Sequence, residues 1–443
     1  MMNRCLWNCT LAMAMSVAGA VSARAEGPAT RPAEPERIRK LISTLGAEEW
    51  RDRQAAEDEL EAMGLAIRPA LTEALARSTD TEARMRLESI LRQIADRAAT
   101  GPTLITLHLK GALPRQAFDE FFQQAGATLR VVPDNLWDSR PFSPADVDIE
   151  AQPYWVALPE LCKTYDVQVQ NAGDRDVSVV DKTSQYRLFG KAPRVVHGPF
   201  MVIAQSVSRS QWAELNFNQN VSKHCAVQLI VLAEPKLRVL QGAYVAHIDE
   251  AVDENGNSLL MPAAQQIEGV QRLTGCAWNL QATLKPADPL GDRIARLSGT
   301  ARYWIQTRSE KTEIANLAEA KDRSQQVGGR AFVVKELKKQ GEMWQIKLSF
   351  SRFAWGGADM GSLQDPNGST IRLLDADGRT LPRIGGVATN FTADNMMEML
   401  FSFGRPASTA ADKVPDPAKL VVEIPTEMKE MTVPFEFTDL PMP

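Results

Sequence analysis

The sequence predicts a multidomain α+β protein, in which a short α-helical segment is followed by a small βαββαβ module and then by tandem antiparallel β-sandwich domains. Apolar residues recur with a helical period over residues 36–98, and strands alternate with helices over residues 102–185. Strand-like runs then fill most of residues 186–443. At roughly 100 to 200 residues per domain, a chain of 443 residues has room for this arrangement.

The N-terminus, residues 1–25, has the layout of a cleavable secretory signal. Arg4 precedes an apolar run at residues 11–21, and small residues up to Ala25 mark a cleavage site, so we expect the mature protein to begin near Glu26. The apolar run is shorter than the roughly 20 residues that span a bilayer. The sequence therefore predicts an exported protein, periplasmic or extracellular, without a transmembrane segment after signal cleavage.

The charge balance argues against a nucleic-acid partner. Without Arg4 and Arg24, the 50 basic residues become 48 against 55 acidic residues, which is a formal net charge of −7. Proteins that bind nucleic acid or anionic lipid carry a basic surface, and this composition does not indicate one. We therefore expect no nucleic-acid binding.

Three cysteines remain after signal cleavage, an odd number without a close pair, which excludes a dense disulfide framework. Cys225 and Cys276 both lie in the β-rich part of the chain and are the candidate disulfide. The alternative is that these two and Cys162 are buried thiols that pack as small apolar residues. The sequence leaves both alternatives open.

Residues 26–35 are rich in Pro and Ala, which predicts a linker. The apolar periodicity of residues 36–98 predicts four short amphipathic helices joined by tight turns. Gly64 ends the second apolar stripe. Thr79, with Glu82 three residues later, predicts a capping box at the start of the fourth helix.

Short motifs follow one another along this helical segment: Leu45-Gly46-Ala47, Arg53-Gln54-Ala55-Ala56, Leu60, Met63-Gly64, Pro69-Ala70-Leu71 and Glu82-Ala83-Arg84. Together they resemble HEAT-like repeats over about 60 residues, or one and a half to two repeats. A solenoid needs about three or more repeats to close its core. The resemblance therefore implies that these helices dock on the next domain or on a partner.

A β-α-β pattern occurs twice in residues 102–185, with strands expected at 105–109, 129–132, 147–151 and 167–169 and helices at 117–125 and 155–165. The pattern is carried by the strand around Leu107, the helix with Phe118 and Phe121 that Gly126 ends, the strand at 129–132 and the helix from Trp155 to Tyr165. It resembles the βαββαβ module at the start of secretins and TonB-dependent receptors. The resemblance implies docking between periplasmic partners. Pro159 is expected to kink or shorten the second helix, and the insertion at 134–144 is long for such a module.

Residues 186–443 predict two tandem β-sandwich (Ig-like) domains, 186–310 and 311–443, because their strands are too many for one small sandwich. An internal echo supports two units: Asn255-Gly256 and Asp377-Gly378 lie in similar surroundings and predict hairpin turns. The expected strands lie at 200–205, 227–232, 243–248, 278–284, 301–306, 331–335, 344–350, 371–374, 399–403, 420–424 and 433–437.

The sequence predicts no catalytic, cofactor-binding or metal-binding residues. His224 and Cys225 are an adjacent base and nucleophile, but neighbours on a strand point to opposite faces. The acidic loops that begin at Asp253 and Asp375 lack the Glu that an EF-hand places six residues after its Gly, and hairpin turns account for them better.

The function we expect is that of a non-catalytic exported (periplasmic) protein–protein interaction or scaffold protein of the cell envelope, with an envelope protein as partner. One alternative is an envelope glycan-binding module that uses Trp355 in the Gly-rich loop at 354–369. The other is a carboxylate-dependent hydrolase, because the separation of catalytic carboxylates in space cannot be deduced from one sequence. The order of signal peptide, HEAT-like segment, secretin-like module and tandem β-sandwiches resembles that of large families of uncharacterised exported bacterial proteins. This resemblance implies no known activity.

Overall fold

The computed structural model describes residues 34–171, 177–183, 188, 190–213, 221–266, 269–273, 275–286, 291–317, 319–351, 371–391, 396–404 and 414–443. N-terminal helices are followed by a mixed β/α region and then by several antiparallel sheets, so the fold is α+β. The predicted signal peptide and most of the predicted linker lie outside the described residues. Within them, no helix is long and apolar enough to cross a membrane. The chain divides into two compact units at Arg92.

The N-terminal unit consists of the predicted helices: α1 (Glu34–Thr44), α2 (Trp50–Met63), α3 (Arg68–Arg77) and the start of α4 (Thr81–Thr100), with a 3₁₀ turn at Gly64–Ile67. The predicted capping box is wrong. Asp80 caps α4, because its Oδ1 accepts the backbone N–H groups of Glu82 at 2.8 Å and Ala83 at 3.3 Å. A carboxylate directly before a helix satisfies N–H groups that have no partner within the helix.

Helices α2 and α4 are joined by a network of alternating charges. Arg86 Nη1 lies 2.9 Å from Glu57 Oε2, and Arg86 Nη2 lies 3.2 Å from Glu82 Oε1. Arg53 Nε approaches Glu82 Oε1 at 3.2 Å. The side chains of Arg86 and Glu57 are 19% and 11% exposed, so this ion pair is better shielded from water than a surface pair.

The mixed region has the predicted β-α-β order twice: β1 (Leu104–Ala112), α5 (Pro114–Gln124), β2 (Arg130–Val132), α6 (Leu136–Ser139), β3 (Ala145–Pro153), α7 (Tyr154–Thr164), β4 (Val167–Asn171) and β5 (Val177–Asp181). Helix α6 lies in the long insertion, and β5 was not predicted. Strands β1 and β3 form one antiparallel sheet, and β2, β5 and β4 form a second in which β2 and β5 are parallel. Pro159 does not shorten α7, which continues to Thr164.

The β-rich part contains β6 (Arg194–His197), β7 (Phe200–Ala213), β8 (Val221–Ala233), β9 (Val239–Ala243), β10 (His247–Asp253), β11 (Val270–Arg272), β12 (Ala277–Leu284), β13 (Arg293–Ile314), β14 (Ser324–Val327), β15 (Arg330–Gln340), β16 (Met343–Ser351), β17 (Ile371–Leu374), β18 (Arg383–Phe391), β19 (Met396–Gly404) and β20 (Lys419–Pro441). The sheet orders are β12-β8-β7-β6, β11-β9-β13-β20-β17 with β10 also paired to β13, and β14-β15-β16-β19-β18.

The strand expected at 243–248 is wrong, because it spans the break between β9 and β10. At this break the chain pairs with another sheet. Gln281 of β12 donates its backbone N–H to the Tyr244 carbonyl, and Ala246 donates to the Gln281 carbonyl, both at 2.9 Å. The apolar run at 243–248 contains no turn signal, so the sequence does not reveal that the chain changes sheets there.

Strands β13 and β20 form a ribbon that two hydrophobic cores share. They pair from Arg293 opposite Pro441 to Ile314 opposite Leu420. Leu297, Tyr303 and Phe437 at one end pack in the core with β7, β8 and β12, whereas Ile314, Leu420 and Ile424 at the other pack with β15, β16 and β19. The domain boundary expected near residue 310 therefore lies inside β13, and Val433, Phe435 and Phe437 of the expected last strand pack in the first core.

The two predicted hairpin turns have the same hydrogen bonds. Asp253 Oδ1 accepts N–H groups from Asn255 and Asn257 at 2.9 and 2.8 Å, and Asp375 Oδ1 accepts those of Asp377 and Arg379 at 3.0 and 2.8 Å. Gly256 and Gly378 have φ values of 81° and 78°, which favour glycine. The internal echo in the sequence is thus a structural repeat.

Sheet β12-β8-β7-β6 is buried on both faces around residues 200–204 of β7. Phe200 and Val202 of β7 pack in the core between this sheet and the sheet that contains β9, β13 and β20, and we call these two packed sheets the first sandwich. Met201 and Ile203 pack in the core that contains α5 and α7. A continuous apolar run, rather than an alternating one, is typical of a strand that is covered on both sides. The mixed region and the first sandwich therefore share this sheet.

Leu71→Asp should unfold the N-terminal helical unit. Leu71 is fully buried in α3, and a carboxylate there would lose its hydration without gaining a partner. Circular dichroism at 222 nm should report lower helical content. Thr72→Asp, at the exposed neighbouring position, is the control and should keep the native signal. Native helical content in Leu71→Asp would contradict the placement of Leu71 in the core.

Phe437→Ala and Phe401→Ala should each cost about 3 to 5 kcal/mol of unfolding free energy, because each empties a well-packed aromatic site. The two changes should act on different sandwiches. Hydrogen–deuterium exchange should accelerate in β8 for Phe437→Ala and in β15 for Phe401→Ala, since each side chain belongs to a different core. Faster exchange in β15 alone for Phe437→Ala would contradict the shared ribbon.

Candidate functional site

The three cysteines are thiols and form no disulfide within the described residues. Cys225 lies opposite Leu284 at one end of the β8–β12 pair, whereas Cys276 precedes Ala277, which lies opposite Leu232 at the other end. They also belong to different cores. Cys225 and Cys276, the candidate disulfide, are therefore not bonded to each other. These two residues and Cys162 are buried thiols, which is the alternative that the sequence left open.

His224 and Cys225 are separated as expected for neighbours on a strand. Cys225 is fully buried, and desolvation raises the pKa of its thiol, which disfavours the reactive thiolate. His224 Nε2 lies 3.3 Å from Gln281 Nε2 on the other face. The two side chains lie on opposite faces of β8, so they do not form a catalytic dyad.

Asp253 and Asp375 direct their carboxylates into their own turns, as described above. The hydrogen bond from the Asn257 side chain is the largest of the causes that lower the pKa of Asp253. Backbone N–H groups bind Oδ1 of both residues, and the Asn257 side chain binds Oδ2 of Asp253, so these oxygens stabilise the turns. Trp355, the candidate for glycan binding, lies outside the described residues.

The β1–β3 sheet has a packed inner face and a polar outer face. Ile105 and Leu107 of β1 and Val147 and Ile149 of β3 belong to the core that contains α5 and α7. The residues between them project outward: Thr106, His108 and Lys110 on β1, and Asp146, Asp148 and Glu150 on β3. The outer face therefore carries three carboxylates in a row along β3.

The outer edge of β1 is closed by a side chain. Gln124, at the end of α5, accepts the Thr106 N–H through Oε1 at 2.9 Å and donates from Nε2 to the Thr106 carbonyl at 2.7 Å. This amide makes the two hydrogen bonds that a neighbouring strand would make. It also shows that the Thr106 backbone groups point away from β3.

The outer edge of β3 is open in the described part of the chain. Successive residues of a strand direct their backbone groups to alternate sides, so Leu107 faces β3 and its register partner Ile149 faces β1. Asp146, Asp148 and Glu150 consequently direct their N–H and C=O groups to the opposite side. Sequence reasoning located this strand but missed its acidic row, although acids at every second residue are the signal that reveals it.

His108 links two of these acids across the sheet. Its Nδ1 lies 2.7 Å from Asp148 Oδ1, and its Nε2 lies 3.0 Å from Glu150 Oε2. The hydrogen bond with Asp148 is the largest cause that raises the pKa of His108, and the negative charge of Glu150 acts in the same direction. His108 thus holds its proton to higher pH than an isolated imidazole.

A buried carboxylate fixes the start of this module. Thr103, just before β1, donates its N–H to both oxygens of Glu234 at 3.0 Å and its hydroxyl to Oε2 at 2.6 Å. Lys236 Nζ lies 3.5 Å from Glu234 Oε2 and 3.3 Å from the Ala98 carbonyl. Desolvation raises the pKa of Glu234, while the Thr103 and Lys236 contacts oppose that rise.

Trp155 makes a second connection between the module and the first sandwich. It is buried in α7, and its Nε1–H donates to the Pro199 carbonyl at 3.1 Å, just before β7. The Glu234 N–H donates to the same carbonyl at 3.0 Å. Together with the shared sheet, these bonds hold the module on the first sandwich.

The N-terminal helical unit has a groove of its own, of about 890 Å³. Ile42 of α1, Ala70 of α3 and Leu87 of α4 contribute to its apolar floor. Arg39 and Arg77 contribute its positive charge, and Arg77 pairs with Glu73. Its shape and composition suit a helix or an extended segment better than a small polar substrate.

A cleft of about 290 Å³ in the first sandwich brings polar groups together. His197, Asp249, Ser298 and Glu436 contribute to its lining. Asp249 lies 3.6 Å from Nε2 of His247. The hydrolase alternative can be tested at this cleft.

Comparisons of the chain with protein-family models, with curated proteins and with solved structures found no match. The function is therefore inferred from the geometry of these surfaces.

Glu234→Gln should change the pH dependence of stability. The raised pKa means that folded Glu234 binds its proton more tightly than unfolded Glu234 does. Protonation of Glu234 therefore stabilises the folded state. This stabilisation is present in full below the pKa of Glu234 in the unfolded state, and it is lost as pH rises through the pKa of Glu234 in the folded state. Wild type should therefore gain stability relative to Glu234→Gln as pH falls through that window, as measured by urea midpoints. A pH-independent difference would contradict it.

Asp148→Asn should lower the pKa of His108 toward that of an isolated imidazole, because it removes the main hydrogen bond and charge that raise it. A titration of the histidine ring signals by NMR measures this pKa. Asp119→Asn, on the exposed side of α5, is the matched control and should leave it unchanged. An unchanged pKa in Asp148→Asn would contradict the contact between these side chains.

Proposed function

We propose that the protein is a non-catalytic, exported docking or scaffold protein of the cell envelope, and that its βαββαβ module carries a principal docking surface. The observation that carries the proposal is the open edge of β3 on a module whose inner faces are packed. A free strand edge is a template that proteins otherwise cover or use for binding.

The way in which the module is attached supports this role. A docking strand binds best when it is preorganised, because binding then costs little conformational entropy. Met201, Ile203 and Leu232 of the first sandwich pack against the module, and the Glu234 and Trp155 hydrogen bonds hold it there. The strand edge is therefore presented from a fixed base.

The sequence resemblances agree with this proposal. The sequence resemblance of the module to the secretin-type domain implies docking between periplasmic partners, and the β-α-β order on which it rests occurs twice, with α6 and β5 in addition. The HEAT-like motifs lie on helices around a groove. An incomplete solenoid presents such a groove to a partner. We propose the groove as the second docking surface and an envelope protein as the partner.

Site-specific photo-crosslinking in the native host tests this function. A photoreactive phenylalanine analogue is placed at Glu150 on the β3 edge, at Arg39 in the helical groove, and at Asp377 in a hairpin turn as control. We expect an adduct with one envelope protein from Glu150 or Arg39 and none from Asp377. Adducts from none of the three positions would contradict the docking function.

A catalytic activity would also contradict the proposal. Purified protein is screened for hydrolysis of esters, peptides and glycans, beside His197→Ala and Ser298→Ala, which alter the cleft of the first sandwich. We expect no turnover. Turnover by the wild type that is lost in either variant would assign a hydrolase instead.

A further inference from the structure

We infer that the open edge of β3 binds an extended, basic segment of a partner protein by strand addition, with lysine or arginine at every second residue. This inference rests on the proposed docking function and specifies the chemistry of the partner. It follows from the direction of the backbone groups, the row of carboxylates and the closure of the other edge.

The backbone determines how the added strand pairs. Asp146, Asp148 and Glu150 direct their N–H and C=O groups outward, because Val147 and Ile149 use theirs toward β1. In an antiparallel pair, residues that exchange both hydrogen bonds lie directly opposite each other. Three residues of the partner would therefore lie opposite these three acids, two residues apart.

The side chains determine which residues the partner needs. Directly opposite residues project from the same face of a sheet, so the partner residues that pair with the three acids lie on the face that carries their carboxylates. Asp146 Oδ1 also accepts the Gly111 N–H at 2.7 Å, so Asp148 and Glu150 are the acids that a cation reaches most readily. The side chains of Asp148 and Glu150 are 87% and 75% exposed and thus accessible to a cation. Opposite charges in such cross-strand pairs stabilise a sheet, whereas like charges destabilise it.

The residues between them face the other way. Partner residues opposite Val147 and Ile149 would project toward the side of the sheet that packs on the core, so β-branched apolar side chains suit them. The partner is thus a short segment in which basic and apolar residues alternate. This pattern is itself that of a half-buried strand.

The same geometry excludes a second copy of this edge as the occupant. Two β3 strands that pair about a two-fold axis would bring the acidic row of one against the acidic row of the other. The β1 edge of a second copy is also a poor occupant, because Gln124 already binds both backbone groups of Thr106. A basic strand from another protein remains the best match.

Charged residues on an edge strand also have a protective role, since they discourage aggregation. A purely protective row repels strands without binding any of them. Saturable, strand-like binding of a basic peptide distinguishes the two roles.

Binding of designed peptides to the full chain tests the inference. The probe is a blocked, fluorescein-labelled heptapeptide of alternating lysine and valine, and binding is measured by fluorescence anisotropy. We expect saturable binding, no binding of the corresponding glutamate–valine peptide, and slower deuterium exchange in residues 145–153 when the basic peptide is bound. Absence of saturable binding would overturn the inference.

Backbone methylation separates strand pairing from simple charge attraction. Methylation of the lysine amides should abolish binding, because these N–H groups pair with β3. Methylation of the valine amides should preserve it, because those N–H groups point away from β3. Equal binding of the two methylated peptides would overturn strand addition.

Charge variants of the protein locate the site. Asp148→Lys should weaken binding about tenfold or more, because it places like charges opposite each other. Asp119→Lys makes the same change of charge on the exposed side of α5 and should have little effect. Equal weakening by both variants would overturn the site, and circular dichroism verifies that both are folded.

Failure of this inference is distinguishable from failure of the docking function. If the peptide does not bind but a native envelope protein is crosslinked at Glu150 or Arg39, the docking function stands and the basic-strand partner is wrong. If neither occurs, both are wrong.

Discussion

The burial of sheet β12-β8-β7-β6 on both faces around residues 200–204 is the constraint on which the rest of this structure depends. Alternate residues of β7, such as Phe200 and Met201, enter two different hydrophobic cores. The first sandwich and the mixed β/α region consequently share one sheet, and neither can lose it without exposing apolar surface. Burial of apolar area is the dominant favourable term in folding, so this shared sheet couples the two parts.

A second constraint is the long β13–β20 ribbon. Its ends contribute to separate cores, so residues near Phe437 at the end of the chain complete the sandwich that begins with β6. The two hairpin turns with equivalent hydrogen bonds lie beside this ribbon, at the ends of β10 and β17. The two cores are therefore joined through the sheet that contains β13 and β20.

The candidate site is the outer edge of β3, which these packed sheets and cores do not cover in the described part of the chain. The inner faces of the module pack in the shared core, and Gln124 closes the β1 edge at Thr106. The β3 edge then remains, with its acidic row and with His108 bridging two of the acids. Hydrogen bonds of Glu234 and Trp155 hold the module on the first sandwich, so the strand edge belongs to a part of the fold that is anchored at two points.

The sequence by itself determined most of the helices, the longer strands and the two hairpin turns, because periodicity and glycine chemistry act over a few residues. It missed short elements such as α6 and β5, and the break between β9 and β10. Alternating acids even marked the outer face of β3. Only the tertiary structure decided that Cys225 and Cys276 lie in different cores, that β13 crosses the expected domain boundary, and that within the described residues β1 is the one strand paired with β3. These properties depend on which strands pair and which faces they bury, and that pairing is set by contacts between residues far apart in the chain.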